Sequence, residues 1–193
     1  MLLLIATAPL ITAQDSFNWV TQMAVHSQQA AISHAVDENL PLPIKALIVY
    51  ADNVEEERYR NRINQVLHTV SKQIKREIYP TLCETIYGDL WQKGDCLETS
   101  HLILLLVGPD FVATDFCYCK ELEGTVERHS FHQTYVVPIY LRPCLVEDVP
   151  FGHLPFLPTQ AQGAVSTQDE DIAFQKIAKG IVTVSKLIIQ NLL

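Results

Sequence analysis

The fold class is indicated most clearly by one stretch of the chain. This stretch is LILLLVGPDF at residues 102–111, continued by ATDFCYCKEL at residues 113–122. Its first six residues are apolar without interruption, which predicts a strand buried on both faces of a sheet. The Gly-Pro-Asp that follows predicts a turn, and residues 114–129 predict a helix. Ligands of open parallel sheets bind beside the carboxyl ends of the strands. Glu121, expected about two turns inside this helix, is therefore a candidate for chemistry.

Strands and helices alternate along the chain from Ile44 onward. Short apolar segments predict strands, and longer amphipathic segments predict helices. Alternation with short connections is typical of an α/β fold with a parallel, doubly wound sheet and right-handed crossovers. The predicted strands lie near residues 44–50, 78, 101–107, 135–141 and 164–165, and the predicted helices near residues 55–75, 94–99, 114–129 and 169–192.

Residues 1–43 are predicted to be an N-terminal extension, and residues 44–193 one α/β domain. The first 13 residues are apolar, but they are shorter than the ~20 residues that span a bilayer. No Lys or Arg precedes Lys45, which disfavours an export signal. The apolar spacing of residues 17–35 predicts a helix. That helix is either an accessory element packed on the domain or a surface for oligomerisation or a partner.

Charge and composition exclude several classes of function. The chain has 14 basic and 22 acidic residues and a net charge of −8, so neither a nucleic-acid partner nor a membrane partner is expected. The mean hydropathy of +0.12 fits a covered parallel sheet. Five cysteines without framework spacing favour a reducing cytoplasm. The chain lacks the glycine-rich motifs of Rossmann enzymes and of P-loop NTPases.

Two segments resemble one family. The sequence LLLVGPDFVATDFCYCKEL at residues 104–122 resembles the corresponding segment of bacterial TIR (Toll/interleukin-1 receptor-like) domains. The sequence VVPIYLRP at residues 136–143, followed by Pro-Phe-Gly at residues 150–152, resembles the next strand and loop of the same family. The resemblance covers about residues 45–189. It implies a flavodoxin-like TIR fold, a five-stranded parallel sheet with helices on both faces.

The resemblance also implies an activity and a partner. Catalytic TIR domains carry a glutamate where this chain has Glu121, and they cleave the bond between nicotinamide and ribose in NAD. NAD is then the substrate and no cofactor is required. The product is ADP-ribose if water attacks, or a cyclic nucleotide if the adenine attacks. Related enzymes form homo-oligomers through TIR–TIR contacts, often in bacterial immune or stress signalling.

Helical periodicity alone does not select Glu121, because the same helix offers Glu123 and Glu127. A glutamate on a helix is usually a solvated surface residue. The expected core stripe leaves Glu121 on the opposite side of the helix, beside Cys117. This stripe comprises Phe116, Cys119, Leu122 and Val126.

The predicted nucleotide pocket departs from the family pattern at two places. The Tyr-Ser pair of the family is Tyr50-Ala51 here, so Asp52 or Glu55 must replace the serine. The Pro-Gly pair of the family's BB loop is Tyr87-Gly88 here. No metal is expected, since Cys117 and Cys119 lie two apart on the predicted helix and do not face one another. The binding candidates are Tyr50, Asp52, Asn53, Gly88, Trp91 and Cys117.

Three classes of function stay open on the sequence. The first is an NAD-cleaving enzyme, and the second is a non-catalytic scaffold that assembles through TIR–TIR contacts. The third is a receiver-like phosphate acceptor. That reading requires paired acids after the first strand, an aspartate at the end of the third and a lysine at the end of the fifth. Residues 107–109, Val-Gly-Pro, and residues 166–167, Ser-Thr, argue against it.

Overall fold

The computed structural model describes residues 42–84 and 94–192, and a four-stranded parallel sheet is their central element. The strands are β1 (Ile44–Tyr50), β2 (Ile78–Glu84), β3 (Leu102–Val107) and β4 (Tyr135–Tyr140). The strand order is β2-β1-β3-β4, so β3 pairs with β1 on one side and with β4 on the other. Each β3 side chain is 0% exposed, which confirms the predicted strand buried on both faces.

Helices cover both faces of this sheet. The helices are α1 (Val54–Ile74), α2 (Gly94–Thr99), α3 (Pro109–Val112), α4 (Lys120–Ser130) and α5 (Glu170–Asn191). The side chains of Leu102, Leu104 and Leu106 pack with α1 and α5, whereas the alternate side chains of β3 pack with α2, α3 and α4. This alternation follows from the two-residue repeat of a strand. Within the described residues, no helix combines the length and the apolarity needed to cross a bilayer.

The prediction of one continuous helix over residues 114–129 is wrong. A 3-10 helix at Asp115–Tyr118 precedes α4, and Cys119 between them is extended, with φ −78° and ψ 151°. The side chains of Phe116 and Cys117 in this 3-10 helix are both buried. Glu121 consequently lies in the first turn of α4 and not two turns inside a helix.

The predicted strand near residues 164–165 is also absent, since Val165–Thr167 is a 3-10 helix. The Thr167 hydroxyl donates to the Ala164 carbonyl at 2.8 Å, which closes this turn locally. The outer edge of β4 carries a single parallel bridge between Ile139 and Leu157. The described residues therefore form four strands in place of the predicted five.

Gly180 of α5 and Gly124 of α4 differ in how closely other residues approach them, and Gly180 lies against Leu157, the partner of Ile139. A Cβ on Gly180 would lie 2.4 Å from Cδ1 of Leu157, whereas a Cβ on Gly124 meets nothing within 4 Å. Gly124→Ala should therefore raise the free energy of unfolding by about 0.5–1 kcal/mol, the usual gain for alanine over glycine inside a helix. Gly180→Ala should lower it, because Leu157 must move. Urea unfolding of both variants measures this difference, and equal stabilisation by the two substitutions would contradict the packing.

Candidate functional site

Glu121 lies at a cavity of about 450 Å³ between α2 and α4. Its side chain is exposed, as expected for a residue that could meet a ligand. This volume is within the range of small-molecule sites. The described lining residues are Leu97, Glu98, Lys120, Glu121, Gly124, Thr125 and Arg128.

Arg128 connects α4 to α2, the two helices that line this cavity. Its guanidinium donates to the carbonyls of Leu97 at 2.8 Å and Glu98 at 3.1 Å, and to the Thr125 hydroxyl at 3.2 Å. The two carbonyls belong to the last turn of α2, where backbone oxygens lack partners within the helix. The same Thr125 hydroxyl donates to the Glu121 carbonyl at 2.7 Å. Arg128 is thus committed to the walls, and the carboxylates of the cavity are those of Glu98 and Glu121, the second of which lies against the Cys119 thiol.

Cys117 does not lie at this cavity. The side chain is 0% exposed and packs in the core with Phe111 and Leu122. Burial raises the pKa of its thiol to about 12. The prediction that Cys117 lies beside Glu121, away from the core, is wrong, because the 3-10 turn directs it inward. This arrangement leaves no surface of Cys117 for a ligand to contact.

The candidates that follow β1 lie apart from the Glu121 cavity, whose described lining belongs to α2 and α4. Tyr50 is buried, and its hydroxyl accepts a hydrogen bond from Arg60 at 2.8 Å. Asp52 is exposed, and Asn53 caps α1. The other two candidates, Gly88 and Trp91, lie outside the described residues.

A second group of polar side chains, which we call the switch-point cluster, lies where β1 and β3 end side by side. The connections from these two strands leave toward opposite faces of the sheet, which makes this edge a topological switch point. Arg142 is at its centre, with Nη1 3.3 Å from Oε2 of Glu55 and Nη2 bonded to Asp110. Asn53 donates to Asp110 at 3.1 Å. The cluster comprises Asn53, Glu55, Glu56, Asp110 and Arg142.

Sequence reasoning missed Glu56, Asp110 and Arg142 of this cluster, and Glu56 is the most buried of the three. Its carboxylate is 0% exposed, and Oε2 accepts the backbone N–H of Ala51 at 2.7 Å. Burial raises the pKa of Glu56 from 4.5 to about 7, although the Ala51 N–H and Arg142 both act to lower it. The spacing Asn53-x-x-Glu56 was the available signal, since this pattern at a helix start turns the glutamate back toward the preceding backbone.

The cluster assembles acids after β1 and after β3, as a receiver-like site would. Its geometry is different, however, because Val107 ends β3 and Asp110 belongs to α3. The guanidinium of Arg142 lies among Glu55, Glu56 and Asp110. The arrangement favours a role for these acids in holding Arg142 over a role as a phosphate acceptor.

Replacement of Glu56 should change how stability depends on pH. The pKa of Glu56 is higher in the folded protein than in the unfolded chain. Its protonation therefore contributes stability that is fully present below about pH 4.5 and is lost as pH rises through about 7. Glutamine cannot ionise. The free energy of unfolding of Glu56→Gln should therefore exceed that of the native protein by roughly 1–3 kcal/mol between pH 5 and pH 8. Urea unfolding at each pH measures this gain.

The matched control for this measurement is Glu57→Gln, which changes an exposed carboxylate of the same helical turn. Its stability should follow that of the native protein across the whole pH range. A Glu56→Gln curve that also stays parallel to the native curve would contradict the burial of an ionisable group at this position.

Comparison with known proteins gives one partial relative. An uncharacterized protein, y4lF, of Sinorhizobium fredii (strain NBRC 101917 / NGR234) is 39% identical to this chain over 87 residues. The matched part is 45% of this chain and 27% of that protein, so the chain corresponds to about a quarter of its relative's length. No family model matches the chain, and no solved structure matches it.

Proposed function

We propose that the chain is an NAD-cleaving enzyme of the TIR type, with Glu121 as its catalytic carboxylate and nicotinamide as a product. The observation that carries this proposal is the position of Glu121. It is exposed at a cavity of about 450 Å³, in the first turn of α4, which comes after β3, α3 and the 3-10 helix in the chain. The resemblance of residues 104–122 to TIR domains assigns the catalytic glutamate to the same residue.

The proposal includes a flavodoxin-like TIR fold. The observed order β2-β1-β3-β4 agrees with the first four strands of the flavodoxin-like order 2-1-3-4-5. The bridge at Leu157 lies on the outer side of β4, where a fifth strand would pair. These two features support the proposed fold.

A single carboxylate suits the chemistry. Nicotinamide in NAD is cationic, so cleavage of its glycosidic bond sends the electron pair to the ring nitrogen, and nicotinamide leaves as a neutral base. The ribose acquires positive charge as in glycoside hydrolysis. The Glu121 carboxylate would stabilise this charge electrostatically. Attack by water gives ADP-ribose and releases one proton. The ammonium of the neighbouring Lys120 would attract the diphosphate.

The same proposal extends to assembly and setting. We expect the active form to arise by contact between copies of the chain, in the cytoplasm where NAD is abundant, as part of a bacterial immune or stress response. Gly88 and Trp91 belong to the loop that the resemblance assigns to this contact. Activity per molecule should accordingly rise with protein concentration.

A paired substitution in α4 tests the catalytic role. Glu121→Gln keeps the shape and hydrogen-bonding capacity of the side chain but removes the charge, so nicotinamide release from NAD should fall by at least ~100-fold. Glu123→Gln, at an exposed position of the same helix outside the described cavity lining, is the matched control and should retain activity. Mass spectrometry of the nucleotide products, with urea unfolding to check stability, measures both effects.

The outcomes separate the proposed classes. Undiminished turnover in Glu121→Gln would remove this residue from the mechanism. Absence of turnover in the native protein, at dilute and at crowded concentrations alike, would overturn the enzymatic proposal and favour a scaffold that acts through contacts between copies.

A further inference from the structure

We propose that Arg142 is a two-position latch at the switch point, which moves between an outer pair of carboxylates, Asp110 and Glu55, and the inner carboxylate of Glu56 when Glu56 loses its proton. This inference concerns a different site from the Glu121 cavity, and it does not depend on the proposed NAD chemistry.

The structure shows the outer position of the latch. The two terminal nitrogens of Arg142 contact the outer carboxylates, Nη1 with Glu55 and Nη2 with Asp110. These carboxylates are 66% and 55% exposed, so the outer contacts lie at the protein surface. Asn53 donates to Asp110, which connects the outer position to the start of α1.

The inner position, next to Glu56, is available to Arg142 but is not occupied in this structure. Oε1 of Glu56 is a buried acceptor without a hydrogen-bond partner among the described residues, and Nε of Arg142 is a buried donor in the same condition. Nη2 of Arg142 is 3.9 Å from Oε1, beyond hydrogen-bonding distance. Both unpaired atoms belong to side chains whose nearest charged atoms are 3.9 Å apart, so a movement of the guanidinium toward Glu56 can give Oε1 a partner.

Gly108 keeps the path between the two atoms open. A Cβ at this position would lie 3.2 Å from Oε1 of Glu56 and 3.4 Å from Nε of Arg142. Any larger residue would therefore crowd both the acceptor and the donor. The absence of a side chain at the turn after β3 thus favours the inner position.

The charges around Glu56 make the latch sensitive to protons. Asn53 and the Ala51 N–H face it from the β1–α1 connection, Asp110 from α3, and Arg142 and Cys144 from the segment after β4, with Glu147 beside Cys144. Burial raises the pKa of Glu56 to about 7, and the negative charge of Asp110 acts in the same direction. Neutral Glu56 exerts no net charge on Arg142, whereas an ionised buried carboxylate requires a cation nearby.

Movement of the latch changes the surface of the switch point. With Arg142 turned inward, Asp110 and Glu55 lose their cation and become available at the carboxyl edge. Ligands of open α/β sheets bind at such a crevice. The latch would thus expose an acidic surface above neutral pH and cover it below.

Nuclear magnetic resonance on the isotope-labelled full chain tests the latch without any substitution. The carboxyl carbon of Glu56 reports its protonation, and the Nε–Hε resonance of Arg142 reports its hydrogen bond. Between pH 5.5 and pH 8.5, both signals should titrate with one common midpoint near pH 7. Relative to the intrinsic base-catalysed exchange rate at each pH, the Arg142 Hε should be more strongly protected from exchange with water at the high-pH end. An Arg142 signal that is constant over this range would overturn the proposal.

Three variants sharpen the test. Glu56→Gln should abolish the titration of Arg142, whereas the control Glu57→Gln, in the same helical turn, should preserve it. Asp110→Asn removes the outer competitor, so the common midpoint should move to lower pH. A titration of Arg142 that persists in Glu56→Gln would overturn the proposal. If Glu56→Gln does not fold, the Asp110→Asn variant provides the test. A common titration midpoint that is unchanged or raised in Asp110→Asn would then overturn the proposal.

Discussion

The burial of β3 on both faces determines how the neighbouring strands and helices are arranged. Each of its six side chains is fully removed from water, and each such burial contributes roughly 1.5–3 kcal/mol. Leu104 lies opposite Ile48 of β1 and Val137 of β4, so the strand can exist only between these two neighbours. The chain must then leave at the carboxyl edge through Gly108 and Pro109. That exit brings Asp110 next to the start of α1.

The sequence could predict those elements whose signal is local. The uninterrupted apolar run identified β3, and the alternation of segments identified the parallel α/β class. The break at Cys119 could not be read from helical periodicity, because the apolar stripe of Phe116, Cys119, Leu122 and Val126 fits one continuous helix, whereas Cys119 is extended. The pair Ala164-Val165 is apolar and buried like a strand, but the Thr167 hydroxyl closes it into a turn.

The same distinction applies to the two sites. Glu121 could be proposed from the sequence because it lies inside the contiguous segment that resembles TIR domains. The shape of the cavity beside it could not be predicted in this way, because that shape depends on the contact of Arg128 with α2. Glu56 had a local signal in its spacing from Asn53. Its partner Arg142 follows a distant strand, and the two meet only because β4 lies beside β3 and β3 beside β1. Burial, and not residue type, makes Glu56 unusual.

In the proposed mechanism, the cavity beside Glu121 binds NAD. Amide chemical shifts of the labelled full chain, followed during addition of NAD to the Glu121→Gln variant, test this claim directly because the nucleotide would persist there. We expect shifts in α2 and in the first half of α4, at residues such as Leu97, Glu98, Lys120 and Gly124. The surface groove of about 240 Å³ between α1 and α5, which includes Arg62 and Phe174, should be unaffected. Shifts confined to that groove, or no shifts at millimolar NAD, would contradict the claim.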